Sequence, residues 1–216
     1  MSKNVGVLLS GCGYLDGAEI HEAVCALLAL DEAGAKAICI APNVSLSVVD
    51  HMTGNETGET RNVLVESARI ARGNIRDLST VHAEELDALI LPGGYGAAKN
   101  LSDFATKGTE MQVNEDVARL IRDVHAAGKP IGFICIAPAI AAKLLPGVKI
   151  TIGNDPGTAA ALNEMGGQHC DCTVTEFVID DANKVVSTPA YMLGPWVKDV
   201  YAGISKCVRG VLAMIG

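Results

Sequence analysis

The chain has 216 residues, 49% hydrophobic and 19% charged, which suits one ordinary globular domain with a real core and excludes a disordered segment. Its formal net charge of -8, from 25 acidic against 17 basic side chains with no basic run, speaks against nucleic acid or an anionic membrane as partner, and aromatics at 4% give no stacking platform for bases. The seven cysteines are irregularly spaced and read as reduced thiols, with no disulfide framework.

In chain order, Met1-Ser2-Lys3-Asn4 runs straight into the strand-like Val5–Leu9. That leaves no room for a secretory signal and predicts a cytoplasmic protein, or one of the mitochondrial matrix if a presequence has been removed. No apolar stretch approaches the roughly 20 residues of a membrane-spanning helix. A helix over about Glu19–Ala33, a strand Lys36–Ala41, a helix around Arg61–Ala71 and a strand Ala88–Leu91 follow, in βαβ rhythm. The rhythm continues through a helix at Asn114–Ala127, a strand Ile131–Ile134, a helix Ala137–Leu144, a strand near Val148–Ile152 and a helix near Thr158–Met165. Cys172–Ile179 and Val185–Thr188, on either side of Asp180-Asp181-Ala182-Asn183-Lys184, read as a hairpin before a last helix, Trp196–Met214. The expected fold is α/β: a three-layer sandwich with a mostly parallel sheet, helices on both faces and a C-terminal β-hairpin, in a single domain over 1–216.

Ligands of an open α/β sheet sit beyond the carboxyl ends of its strands, and three unusual loops follow such ends here. The first two are Ser10-Gly11-Cys12-Gly13 and Pro92-Gly93-Gly94-Tyr95-Gly96, whose glycines allow close backbone approach and whose N–H groups can hold an oxyanion. Neither carries a nucleotide fingerprint, and no P-loop occurs. In the third, the apolar run Ile131-Gly132-Phe133-Ile134 ends on Cys135 and turns at once into Ile136-Ala137-Pro138 and a helical stretch. This reads as a nucleophile elbow, which lifts its central side chain clear of the sheet. Helix N–H groups behind the sulfur lead to the expectation that Cys135 ionises below the roughly 8.5 of a free thiol.

These segments, with Gly17-Ala18-Glu19-Ile20-His21-Glu22, Glu59-Thr60-Arg61-Asn62-Val63-Leu64 and Ser187-Thr188-Pro189-Ala190-Tyr191-Met192, resemble the ElbB family over nearly the whole length. That family, called enhancing lycopene biosynthesis or isoprenoid biosynthesis protein with an amidotransferase-like domain, belongs to the PfpI superfamily, with class I glutamine amidotransferase-like members. The resemblance implies a flavodoxin-like fold with the nucleophile on Cys135, its acid on Glu22 and an earlier acid on Glu19. Backbone donors fall on Gly93, Gly94 and Ile136. It further implies a cofactor-independent glyoxalase-type enzyme with no metal, acting on a small aldehyde in a small pocket, and a homodimer. Glyoxal or methylglyoxal would add to the thiol as a hemithioacetal and leave as a hydroxy acid.

The chain departs from class I glutaminases, which carry a histidine base where Thr188-Pro189-Ala190-Tyr191-Met192 stands. Other superfamily members place a His in the region that reads Gly153-Asn154-Asp155-Pro156, which makes Asn154 a candidate pocket residue. Cys12 is expected to face Cys135 as a second or resolving thiol. His51 lies in a polar loop after the second strand that is expected to reach over the same sheet edge. His169-Cys170-Asp171-Cys172 is a weak metal pattern, because alternate residues of an extended chain point opposite ways and no partner pair follows. The alternative readings are a redox-sensing or regulatory protein with an oxidisable Cys135, and a glutamine amidotransferase subunit completed by a partner.

Overall fold

The structure is a computed structural model that describes residues 2–216. Its elements are β1 (Asn4–Leu8), α1 (Ile20–Glu32), β2 (Lys36–Ala41), β3 (Ser45–Val49), β4 (Glu56–Asn62), α2 (Val63–Ile70), β5 (Ile75–Asp77), β6 (Ala88–Leu91), α3 (Tyr95–Lys99) and α4 (Phe104–Lys107). Then come α5 (Glu115–Ala126), β7 (Ile131–Ile134), α6 (Pro138–Leu144), β8 (Lys149–Ile150), α7 (Pro156–Glu164), β9 (Gln168–His169), β10 (Val178–Asp180), β11 (Val185–Thr188) and α8 (Val197–Ala213). The main sheet runs β10-β11-β7-β6-β1-β2-β5, parallel throughout except for β10, which pairs antiparallel with β11 as the expected C-terminal hairpin.

The central strands explain themselves. Every residue of β6 and β7 is buried, so Ala88-Leu89-Ile90-Leu91 and Ile131-Gly132-Phe133-Ile134 are continuous apolar runs, as parallel strands covered on both faces must be. One face packs Leu8, Leu89, Leu91 and Phe133 against α5 and α6, and the other packs Val5, Val7 and Ile90 against α1 and α8. The buried positions of α5, Val117, Leu120, Ile121 and Val124, fall at helical spacing on one stripe. Its start is set by the Asn114 side chain, which accepts from the N–H groups of Asp116 and Val117.

Several expected elements shift. Arg61 and Asn62 end β4 instead of opening a helix, and α2 starts at Val63 because the Asn62 side chain caps it through the Val65 N–H at 3.1 Å. The polar loop after β2 is an antiparallel hairpin, β3 with β4, with His51 in its turn. Val148–Ile152 holds only the short β8, which pairs with β9 outside the main sheet, and the strand expected over Cys172–Ile179 contracts to β10.

The strand order places β1, β6 and β7 side by side and parallel, so the three unusual loops leave the same sheet edge as neighbours. The first two are stitched together. Tyr95 N–H donates to Tyr14 O at 2.7 Å, Gly96 N–H to Gly17 O at 2.8 Å, and the Asn100 amide donates to both Ser10 O and Asp16 O at 2.8 Å. Gly96 has to be glycine for this contact, since a Cβ there would stand 2.4 Å from Ser10 Oγ and 2.5 Å from the Gly17 carbonyl carbon. We expect Gly96→Ala to destabilise the fold by about 1–3 kcal/mol through this overpacking. Urea unfolding of the variant beside the wild type measures it, and an unchanged midpoint contradicts the close approach.

Candidate active site

Cys135 sits at φ +63°, in the left-handed region that a side chain enters only at a cost of about 1–3 kcal/mol. The strain is held from both sides: Cys135 N–H donates to Thr188 O of β11 at 2.9 Å, and Ala137 N–H closes the turn on Ile134 O at 3.1 Å. Pro138, the first residue of α6, has no N–H to leave unpaired there. Gly93 packs against the elbow so closely that a Cβ on it would lie 2.5 Å from Cys135 Cβ and 2.9 Å from Glu22 Oε2.

Glu22 comes from the first turn of α1 and is fully buried. The helix begins where the Glu19 side chain accepts from Glu22 N–H at 2.7 Å, and Glu19 N–H in turn donates to Gly93 O at 3.0 Å, which fixes α1 against the second loop. The Glu22 carboxyl is then met by two backbone donors, Gly93 N–H to Oε2 at 2.9 Å and Tyr191 N–H to Oε1 at 3.2 Å. The Cys135 thiol lies alongside it, across the same Gly93 position, and acts to lower its pKa. Ala190, at φ +45°, turns the chain after β11 so that the Tyr191 N–H faces inward. Of the three expected backbone donors, the Gly94 and Ile136 N–H groups are those that act to lower the pKa of the sulfur. Gly93 does not: its N–H is taken by Glu22, because the loop crosses the carboxyl before it reaches the thiol.

Burial pushes the Glu22 carboxyl up to about 8, with the Glu19 carboxylate adding to the effect and the bonds from Tyr191, Cys135 and Gly93 opposing it. Burial also pushes the Cys135 thiol well up, the Glu22 carboxylate pushes it further, and the Gly94 and Ile136 N–H groups only partly offset this. The expectation of an easily ionised thiol is therefore reversed: the sulfur is too dry, and too near a carboxyl, for the elbow to acidify it. The two groups titrate as a pair, in which carboxyl and thiol compete for the last proton.

In front of the sulfur lies a cavity of about 450 Å³ that also touches Glu19 and Gly94, with Tyr14, Tyr95, Phe104, Tyr191 and Met192 in its wall. The expected small pocket is thus a roomy one, since short side chains at Ala98 and Ala105 leave space that the aromatic rings only border. The Tyr191 hydroxyl is 2.7 Å from His21 Nδ1, which places His21 on the outer side of α1, away from Glu22.

Three expected pocket residues lie elsewhere. Cys12 and His51 line a separate cavity of about 250 Å³ with Asp16, Arg61 and Glu66. The β3–β4 hairpin folds against the first loop there, and both ring nitrogens of His51 face backbone, Val49 O at 2.9 Å and Leu15 N at 3.3 Å. Cys12 is therefore not set opposite Cys135, and burial, reinforced by Glu66 and Asp16, keeps its thiol raised. Asn154 borders another surface depression, beside Cys172 and Glu176, while Thr158, farther along α7, reaches the main cavity. His169 Nε2 accepts from the Ile152 N–H at 3.3 Å, and no cluster of three or more His, Cys, Asp or Glu side chains suited to a metal occurs among the described residues. No helix among them is long and apolar enough to cross a membrane.

Because Glu22 is raised to about 8 in the fold against about 4.3 in an unfolded chain, the folded state holds the proton more tightly. Stability is therefore full below about pH 4.3 and is lost as pH rises through 8. We expect Glu22→Gln to remove this slope, so that the variant gains on the wild type between pH 5 and 8.5. Denaturant melts across that range test it, and parallel pH curves contradict an ionisable buried Glu22.

The chain matches the DJ-1/PfpI family over residues 13–192. It is 48% identical, across 100% of its own length and 84% of the relative, to the Homo sapiens protein called glutamine amidotransferase-like class 1 domain-containing protein 3, mitochondrial. Among solved structures, the isoprenoid biosynthesis protein with amidotransferase-like domain from Ehrlichia chaffeensis superposes with a TM-score of 0.93 at 40% identity, covering 100% of both chains. Glyoxalase III from Candida albicans shares the fold, with a TM-score of 0.66 at 14% identity over 99% of this chain and 98% of that one. The chain belongs to the DJ-1/PfpI family.

Proposed function

We propose that this member of the DJ-1/PfpI family is a cofactor-independent, glyoxalase-type cysteine enzyme that converts 2-oxoaldehydes to 2-hydroxy acids. The observation that carries the reading is the placement of a fully buried Glu22 carboxyl, raised to about 8, beside Cys135, close enough that a Cβ on Gly93 would lie 2.5 Å from Cys135 Cβ and 2.9 Å from Glu22 Oε2, which gives one nucleophile and one proton carrier near neutral pH. In the fraction of molecules whose Glu22 is ionised near neutral pH, the thiol proton passes to the Glu22 carboxylate as sulfur bonds to the aldehyde carbon, and Glu22 returns it to the new alkoxide, which makes a hemithioacetal. The Gly94 and Ile136 N–H groups hold the oxygen during that step. Glu22 then takes the hydrogen from the former aldehyde carbon as a proton and delivers it to the neighbouring carbonyl carbon, while the hemithioacetal hydroxyl proton passes to the neighbouring oxygen. The first carbon is oxidised to a thioester and the second reduced to an alcohol, so no outside oxidant is needed. Water releases the hydroxy acid and restores the thiol.

The other readings have less behind them. Sulfenic acid formation starts from a thiolate, which the raised Cys135 disfavours. A glutaminase has to hold an α-carboxylate, yet Glu19 is the charged side chain facing the cavity and no histidine stands at the sulfur. The likeness to the Ehrlichia chaffeensis protein supports placing the chain in the ElbB branch, with its association with isoprenoid biosynthesis. The human relative's name, which includes the word mitochondrial, supports a mitochondrial location. The half-exposed Ile20, Val24 and Leu28 lie one turn apart on α1 and suit the interface of a homodimer.

We expect the wild type to consume methylglyoxal without glutathione and to form lactate in equal amount. Cys135→Ala should fall to background and Glu22→Gln should lose at least about 10²-fold in kcat/KM. Product acid assayed directly decides it; turnover that survives in Cys135→Ala sinks the proposal.

A further inference from the structure

The cavity in front of Cys135 is larger and more apolar than methylglyoxal requires. At about 450 Å³ it falls among pockets of about 300–1,000 Å³ that enclose far larger ligands than a dicarbonyl with one methyl group. The polar groups gather at one end, where Glu22, the sulfur and the Gly94 and Ile136 N–H groups meet. Beyond them the wall is mostly carbon, from Tyr14, Tyr95, Ala98, Phe104, Ala105 and Met192, with the hydroxyl-bearing Thr158 and Tyr191 also in the lining. Tyr14 and Tyr95 remain 48% and 50% exposed, as rings at the mouth with apolar faces not yet covered.

The charges select in the same direction. Glu19 faces the cavity and Glu22 lies behind the sulfur, while no lysine or arginine lines the wall. Lys99 stands 5.4 Å over the Tyr95 ring and donates to Leu15 O at 3.3 Å, outside the lining. A carboxylate or phosphate on the substrate would lose its hydration there and meet carboxyls in place of a counter-ion.

We infer that the site takes aldehydes, 2-oxoaldehydes foremost, whose carbonyl end sits at Cys135 and whose other end is an extended, uncharged, apolar chain lying along Tyr14, Tyr95 and Phe104. The inference rests on the glyoxalase reading for its chemistry and on the cavity wall for its side-chain class. The reaction is the one already balanced, with the chain R unchanged between R–CO–CHO and R–CHOH–COOH.

The test compares methylglyoxal, 2-oxohexanal and 4,5-dioxopentanoate, the last carrying a charged end in place of alkyl carbon. Each buried methylene raises kcat/KM about fourfold, so 2-oxohexanal should exceed methylglyoxal by at least about tenfold and 4,5-dioxopentanoate should fall below 2-oxohexanal by as much. In Ala105→Trp, at an exposed position where the fold tolerates bulk, the ratio of 2-oxohexanal to methylglyoxal should drop towards one. Methylglyoxal turned over as well as 2-oxohexanal overturns the inference and leaves the glyoxalase reading standing. If no dicarbonyl is turned over, that reading fails, and the class is decided by titrating Cys135→Ala with 2-hexanone and acetone, which need no chemistry. Binding of 2-hexanone at least tenfold tighter, lost in the added Ala105→Trp change, upholds the apolar-chain site, and equal or absent binding overturns it.

Discussion

A carboxyl group buried without a cation is the constraint around which this molecule is arranged. Glu22 is fully enclosed, and its neighbours are two backbone N–H groups, a thiol and a second carboxyl. Taking such a group out of water is unfavourable for its charged form, so the fold holds it near neutrality and supplies hydrogen bonds in place of an ion pair. Those bonds come from two separate stretches of chain, the loop after β6 and the turn after β11, while the elbow after β7 sets the thiol alongside. The carboxyl is therefore also a structural hub: moving any one loop leaves a buried polar group unpaired.

The same economy of space governs the elbow. Cys135 in the left-handed region and Ala190 at positive φ are two unfavourable conformations within one small volume, and Gly93 packs so closely against Cys135 that no side chain fits there. They persist because the parallel strands β1, β6, β7 and β11 hold the loop ends in register. The result is a sulfur that faces a cavity with a buried carboxyl beside it. Preorganisation of this kind is costly to stability and useful to addition chemistry at a carbonyl. A low thiol pKa is not what the arrangement provides; under the proposed function it provides a thiol with a carboxyl at hand to carry its proton.

The cavities show how one loop can serve two sites. Tyr14 faces the sulfur's cavity while Cys12, two residues earlier, faces the other, and the Tyr14 ring meets His51 edge-on at 5.3 Å between centroids. Gly11 and Gly13, both at positive φ, let the chain reverse direction between them. A linear reading of Ser10-Gly11-Cys12-Gly13 shows a glycine loop near a sheet edge and nothing about which side each side chain takes.

What could be read from residues alone was whatever depends on local order. The uninterrupted apolar runs of β6 and β7, the helical stripe of α5, the turn at Cys135 and the resemblance that put the acid on Glu22 are all carried by neighbours in sequence. The β4 strand escaped because Glu56-Thr57-Gly58-Glu59-Thr60-Arg61-Asn62 has no alternation, being exposed for most of its length, and β5 is only Ile75–Asp77. The site escaped in part for a different reason. That Gly93 N–H goes to Glu22, that Tyr191 supplies the second donor, that Cys12, His51 and Asn154 fall outside the cavity, and that the cavity is wide, all depend on contacts between residues tens of positions apart. Periodicity and spacing report how a segment meets water or the core. Which buried donor meets which acceptor, and what that does to a proton, is decided only when the strands lie side by side and exclude water from between their loops.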